Sequence, residues 1–212
     1  MTRHVLVLGA GGQIARWVVK ALAGRKDMAQ TLFVRDPAKL GALPSNAKAV
    51  AGDALDAEAL RRAMRGQDLL YANLTGADLD AQARSVIAAM RAGGVKRLVF
   101  VLSLGIYREV PGEFGRWNEV TIGEDLKPYR RAAEAIESSG LDYTIVRPAW
   151  LTDEDEVDYE LTRKGEPFKG TVVSRRSVAD LIARIIESPE LHVGESLGVD
   201  KPGTDGDKPD FM

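Results

Sequence analysis

Cysteine is absent from this 212-residue chain, which excludes a disulfide framework, a thiolate metal site and a cysteine nucleophile together. Histidine is scarce: His4 and His192 are the only two. That excludes a histidine-rich metal site and leaves a histidine-based triad only if one of them serves. No sign of charge dominates, with 29 basic against 31 acidic residues and a net charge of −2, so nothing global draws the chain to nucleic acid or to an anionic membrane. There is no transmembrane span, internal repeat or low-complexity tract. The N-terminus has one early Arg3 and no small-residue cleavage site, so it reads as a first strand and not as a signal peptide, with the cytoplasm as the expected location. The length fits one α/β domain over residues 1–212 with ample core.

What is present is an alternation of apolar β-type runs with helical patterns almost to the end, the mark of a parallel sheet with helices on both faces. Strands are expected at 5–8, 31–34, 47–51, 69–74, 98–102 and 143–146. Helices are expected at 14–23, from the Asp56 cap through Met64, at 78–92, 129–138 and 177–188. The unbroken apolar run from Leu98 to Leu102 predicts a central strand buried on both faces. Residues 105–125, with Pro111, Gly112, Gly115 and Gly123, have no clear period and read as a long irregular, functional loop. The last dozen residues read as a surface tail.

The strongest local signal is the first turn, where the apolar strand Val5 to Leu8 stops at Gly9-x-x-Gly12-x-x-Ala15 and a helical pattern resumes. Small residues there allow a tight turn, close approach of a phosphate and close packing of helix on strand. The unpaired N–H groups and dipole of the new helix favour an anion. Roughly 20 residues on, the second strand ends in Val34-Arg35-Asp36, where an arginine pairs with a ribose 2′-phosphate and an acid accepts from a 2′-hydroxyl. Arg35 favours NADP and Asp36 keeps NAD open; the plain alternative is a polar turn with a helix cap.

Six segments occur in order: GAGGQIAR, FVRDPAKL, GDALD, VFVLSLGIY, SGLDYTIVRPAWLTD and VSRRSVADLI. In these the chain resembles the atypical short-chain dehydrogenase/reductases, specifically the NmrA-like or NAD(P)H-binding group. The resemblance implies a Rossmann-type doubly wound parallel sheet of about seven strands, a dinucleotide across the strand C-terminal ends, and a substrate side formed by 105–125 and 148–212. It places Gly9, Gly12, Gln13 and Ile14 at the pyrophosphate, Arg35 at the adenine ribose, and Asp53 and Ala54 against adenine. Asn73 and Leu74, followed by Thr75, fall beneath the riboses, and Pro148 closes on the nicotinamide side. For Asp53 the alternative is a capping role, and for Trp150 plain packing.

Carbonyl reduction in this superfamily uses a Tyr hydroxyl as acid, a Lys one turn later and a Ser that orients the substrate oxygen. Ser103 occupies the serine position. Tyr-x-x-x-Lys is absent: Tyr129 stands at the lysine position, and Asp125 falls near that of the tyrosine. Tyr129, with Ser103, is the catalytic candidate, while Lys127 and Tyr107 are open as substitutes. Two functions follow. One is an oxidoreductase reducing a small carbonyl, quinone or flavin-like acceptor with NADP, or NAD. The other is a non-catalytic NADP(H) sensor acting through a protein partner. A small-molecule substrate is expected, a homodimer is left open, and no membrane, nucleic acid or metal is expected. Arg61, Arg62, Arg65, Arg175 and Arg176 read as solvated faces, and the acidic run 153–156 as a turn without calcium-loop spacing.

Overall fold

Four consecutive residues, Val5, Leu6, Val7 and Leu8, are wholly buried, because the strand that carries them is covered on both faces. This strand, β1 (Arg3–Leu8), pairs in parallel with β2 (Met28–Val34) on one side and β4 (Leu69–Ala72) on the other. The computed structural model describes residues 2–212. Beyond β2 lies β3 (Ala47–Ala51), and beyond β4 lie β5 (Arg97–Val101), β6 (Asp142–Pro148) and β10 (Glu195–Asp200), all parallel. The order β3-β2-β1-β4-β5-β6-β10-β8 reverses its direction of growth at β1/β4. In an open α/β sheet that reversal opens a crevice at the strand C-termini, where ligands bind. Seven parallel strands are present, the number the resemblance implies, six of them where the apolar runs place them, with an antiparallel edge, β8 (Glu160–Arg163), added.

Side chains alternate across each strand, so Val5 and Val7 face one layer and Leu6 and Leu8 the other. The first layer is α1 (Gln13–Ala21) with α6 (Arg175–Glu187), packed through Ile14, Val18, Val178 and Ile182. The second is α2 (Ala57–Met64), α3 (Leu79–Gly93) and α5 (Leu126–Glu137), packed through Leu60, Met64, Val86 and Ile136. Asp56 caps α2 as expected, its carboxylate accepting from the Glu58 and Ala59 N–H groups. Among the described residues no helix is long and apolar enough to cross a membrane.

Two parts differ from the sequence reading. The supposed irregular piece contains α4 (Gly112–Ile122), which buries only Phe114 and Asn118 and so leaves little periodic trace. Gly115 lets this helix fold against its own entry, since a Cβ there would lie 2.0 Å from the Val110 carbonyl oxygen. After β6, the strands β7 (Trp150–Thr152) and β9 (Val172–Ser174) form a separate parallel pair, and β8 and β10 extend the main sheet. None of the four was expected. β10 carries buried Ser196 and Asp200, together with Gly198, whose missing side chain is replaced by the Phe168 ring 2.6 Å from an ideal Cβ; an apolar-pattern reading passes over it.

Candidate functional site

Gly9 has φ +68, in the left-handed region, and an added Cβ would stand 2.2 Å from the Asn73 carbonyl oxygen. At Gly12 a Cβ would stand 2.1 Å from the Asn73 side-chain nitrogen. Gly9 is therefore required by the backbone leaving β4, a packing reason in addition to the ligand-approach reason, whereas at Gly12 the neighbour is the end of a side chain that can move. Gly11 is different, for a Cβ there meets nothing. The turn is closed by the Gly12 N–H donating to the Gly9 carbonyl at 2.9 Å. Gly12 caps α1 without a side-chain hydrogen bond, and the first turn has no acidic residue, so the N–H groups of Gln13 and Ile14 are available to an anion. Ile14 and Ala15 side chains are core; only the Ile14 backbone can serve the site.

At the end of β2 the two discriminating residues have separate fates. Asp36 caps a 3-10 turn over Pro37–Leu40, accepting from the Ala38 N–H at 3.1 Å. Arg35 is exposed and has no ion-pair partner among the described residues. Asp53, after β3, folds its own turn by accepting from the Leu55 N–H at 2.8 Å, and Ala54 is buried; the cap of α2 is Asp56.

Asn73 continues the β1–β4 ladder, its N–H donating to the Leu8 carbonyl at 3.0 Å, and Leu74 is half-buried beside it. Two residues on, the Thr75 hydroxyl is 2.7 Å from the Tyr129 hydroxyl on α5. Ala72 is level with Phe100 across β4 and β5, so Thr75 and Ser103 follow the C-terminal ends of neighbouring strands. Ser103 is half-buried, and its hydroxyl makes no hydrogen bond to protein among the described residues. The two catalytic candidates thus belong to neighbouring strand exits, one directly and one through Thr75.

Tyr107 and Lys127 are committed elsewhere. The Tyr107 hydroxyl donates to Glu137 at 2.7 Å and lies 3.2 Å from the Ser196 hydroxyl, and burial pushes its phenol well above the ordinary value. Lys127 is exposed and donates to Glu124 at 2.6 Å. Pro148 is buried at the end of β6, where its carbonyl accepts from the Leu104 N–H at 3.1 Å. Its neighbour Arg147 is fully buried against Glu109, and Glu109 also accepts from the N–H groups of Gly105 at 3.0 Å and Tyr107 at 2.9 Å. The sequence reading missed this ion pair, although an arginine inside the apolar run of β6 is its visible trace.

On the 105–125 side, the Trp117 and Trp150 ring centroids are 4.9 Å apart, and Phe114 lies 6.1 Å from Trp117. The Trp150 indole N–H donates to Asn118 at 2.9 Å. Trp150 packs, and the cluster fastens α4 to β7.

A family model described as NAD(P)H-binding matches residues 9–189. A Rossmann-fold NAD(P)-binding family protein of Shigella flexneri is 60% identical with TM-score 0.88, both chains being covered fully. A short-chain dehydrogenase/reductase of Veillonella parvula DSM 2008, in complex with NADP, is 27% identical with TM-score 0.89, again over 100% of both chains. The NAD(P)H azoreductase of Xenophilus azovorans is 31% identical over 151 residues, 69% of this chain; the match spans 48% of the azoreductase, about half its length.

Proposed function

Since the chain belongs to the NAD(P)H-binding family, we propose that it is an NADPH-dependent reductase of a small acceptor of the quinone, flavin-like or carbonyl type. The observation that carries the NADPH preference is the division of labour at the end of β2, where Asp36 is spent as a cap and Arg35 stands unpaired. An arginine so placed answers a 2′-phosphate. The Gln13 and Ile14 N–H groups hold the pyrophosphate at the uncapped start of α1. Asp53 and Ala54 border the adenine, Asn73 and Leu74 lie beneath the riboses, and Pro148 closes the nicotinamide side.

Bound NADPH supplies the hydride. Ser103 offers a hydroxyl free of protein partners to the acceptor's oxygen, and Tyr129 is fixed by Thr75 with a phenol to share. No lysine stands one turn after Tyr129, which favours acceptors that need little proton assistance. Conjugated acceptors meet that demand, and a relative named as an azoreductase is consistent with it. The test is NADPH consumption against quinones, flavins, azo compounds and aldehydes, with Ser103→Ala and Tyr129→Phe beside wild type. Turnover by wild type that falls in both variants supports the assignment. Turnover unaffected in both removes these side chains from the chemistry. Tight binding without turnover on any acceptor favours the sensor reading, in the manner of NmrA-like regulators.

A further inference from the structure

Arg16 has no part in the site described above, yet it reaches toward it. It lies in the first turn of α1, its N–H donating to the Gly12 carbonyl at 2.9 Å. Helical side chains lean back toward the N-terminus, so Arg16 lies along the glycine turn and not away from it. Its guanidinium ends 3.4 Å from the Lys39 carbonyl, in the 3-10 turn just after Arg35 and Asp36. This one contact ties the start of α1 to the segment leaving β2.

The charges around it are arranged for an anion. Arg16 and Arg35 are both exposed and neither has an acidic partner among the described residues. The acid at hand, Asp36, is occupied by the Ala38 N–H at 3.1 Å and by Lys39 at 3.8 Å. A solvent-exposed N–H···O contact of 3.4 Å is weak, whereas a guanidinium donating to a phosphate makes short, charge-assisted and often paired bonds. The Lys39 carbonyl is therefore a resting partner that a phosphate displaces at little cost.

We infer that Arg16 is a second, specificity-determining holder of the 2′-phosphate, opposing Arg35 across the space between the start of α1 and the end of β2. The inference rests on the proposed NADPH preference and adds to it the residue that a reading of the β2 end alone leaves out. Two guanidinium groups from different elements fix the phosphate's position as well as its charge, and one of them is carried on the same turn that faces the pyrophosphate.

Binding of 2′,5′-ADP, 5′-AMP, NADPH and NADH, measured by calorimetry, separates the possibilities without relying on turnover. Arg16→Gln keeps a donor for the Lys39 carbonyl and removes the charge. It is expected to weaken 2′,5′-ADP and NADPH about tenfold, the size of one lost charged hydrogen bond, with 5′-AMP and NADH within about twofold of wild type. Arg16→Lys is expected to fall between. Unchanged NADPH binding in Arg16→Gln would mean that Arg16 only braces the turn, and equal losses for NADPH and NADH would likewise overturn the inference. If wild type itself does not prefer 2′,5′-ADP to 5′-AMP, the NADPH preference falls and Arg16 with it. If wild type prefers it and Arg16→Gln retains that preference, only the role of Arg16 falls.

Discussion

Arg147 and Glu109 form an ion pair with side chains 0% and 4% exposed, and it ties the end of β6 to the loop that follows Ser103. The Glu109 carboxylate gathers the Gly105 and Tyr107 N–H groups into the same knot, while Arg147 Nε donates to the Ser196 hydroxyl on β10 at 3.1 Å. Removing one partner leaves the other charged and dry. Arg147→Ala and Glu109→Ala should each cost about 3 to 5 kcal/mol of stability, read from urea unfolding. A loss under about 1 kcal/mol in either would show that the buried pair is not holding the loop.

The glycine turn separates packing from ligand approach. Gly9→Ala must place a methyl group against the Asn73 backbone from a left-handed φ, and it should destabilise the fold by well over 1 kcal/mol. Gly11→Ala meets nothing and should unfold within about 0.5 kcal/mol of wild type. Gly12→Ala meets the end of the Asn73 side chain, so Asn73→Ala should recover part of its loss. Thermal unfolding of the four variants checks the order, and a Gly9→Ala protein as stable as Gly11→Ala would contradict it.

Asp200 gives the fold a pH dependence. Burial, with Glu160 and Asp205 nearby, pushes its carboxyl up to about 6 against the opposing effects of the Gly170 N–H and Lys169. One of its oxygens has no hydrogen-bond partner. The native state therefore holds this proton more tightly than the unfolded chain. Its contribution to stability is full below the ordinary carboxylate range and is lost as pH rises through about 6. Melting temperatures of wild type and Asp200→Asn should diverge as pH rises from about 4 to about 6, wild type falling relative to the variant, and run parallel above that. Curves parallel throughout would contradict the assignment.

How far the sequence carried the fold depended on the kind of signal. β1, β5 and the helices α1, α2, α3 and α6 were legible because each presents an unbroken apolar run or a clear helical face. β10 and α4 were not: the first sets buried Ser196 and Asp200 among its apolar residues, and the second buries only Phe114 and Asn118. For the site, Gly9 and Arg35 were legible from spacing, whereas the clash that makes Gly9 obligatory lies with Asn73, distant in sequence. The contacts of Tyr107 with Glu137 and of Tyr129 with Thr75 are likewise products of folding.

The most direct measurement is the affinity of wild type and Arg35→Ala for NADPH and NADH, by titration at one ionic strength. Wild type is expected to bind NADPH at least about tenfold more tightly than NADH, a difference of about 1.4 kcal/mol, and Arg35→Ala to lose most of that margin while keeping its affinity for NADH. Equal affinity of wild type for the two dinucleotides, or a preference for NADH, would contradict the account.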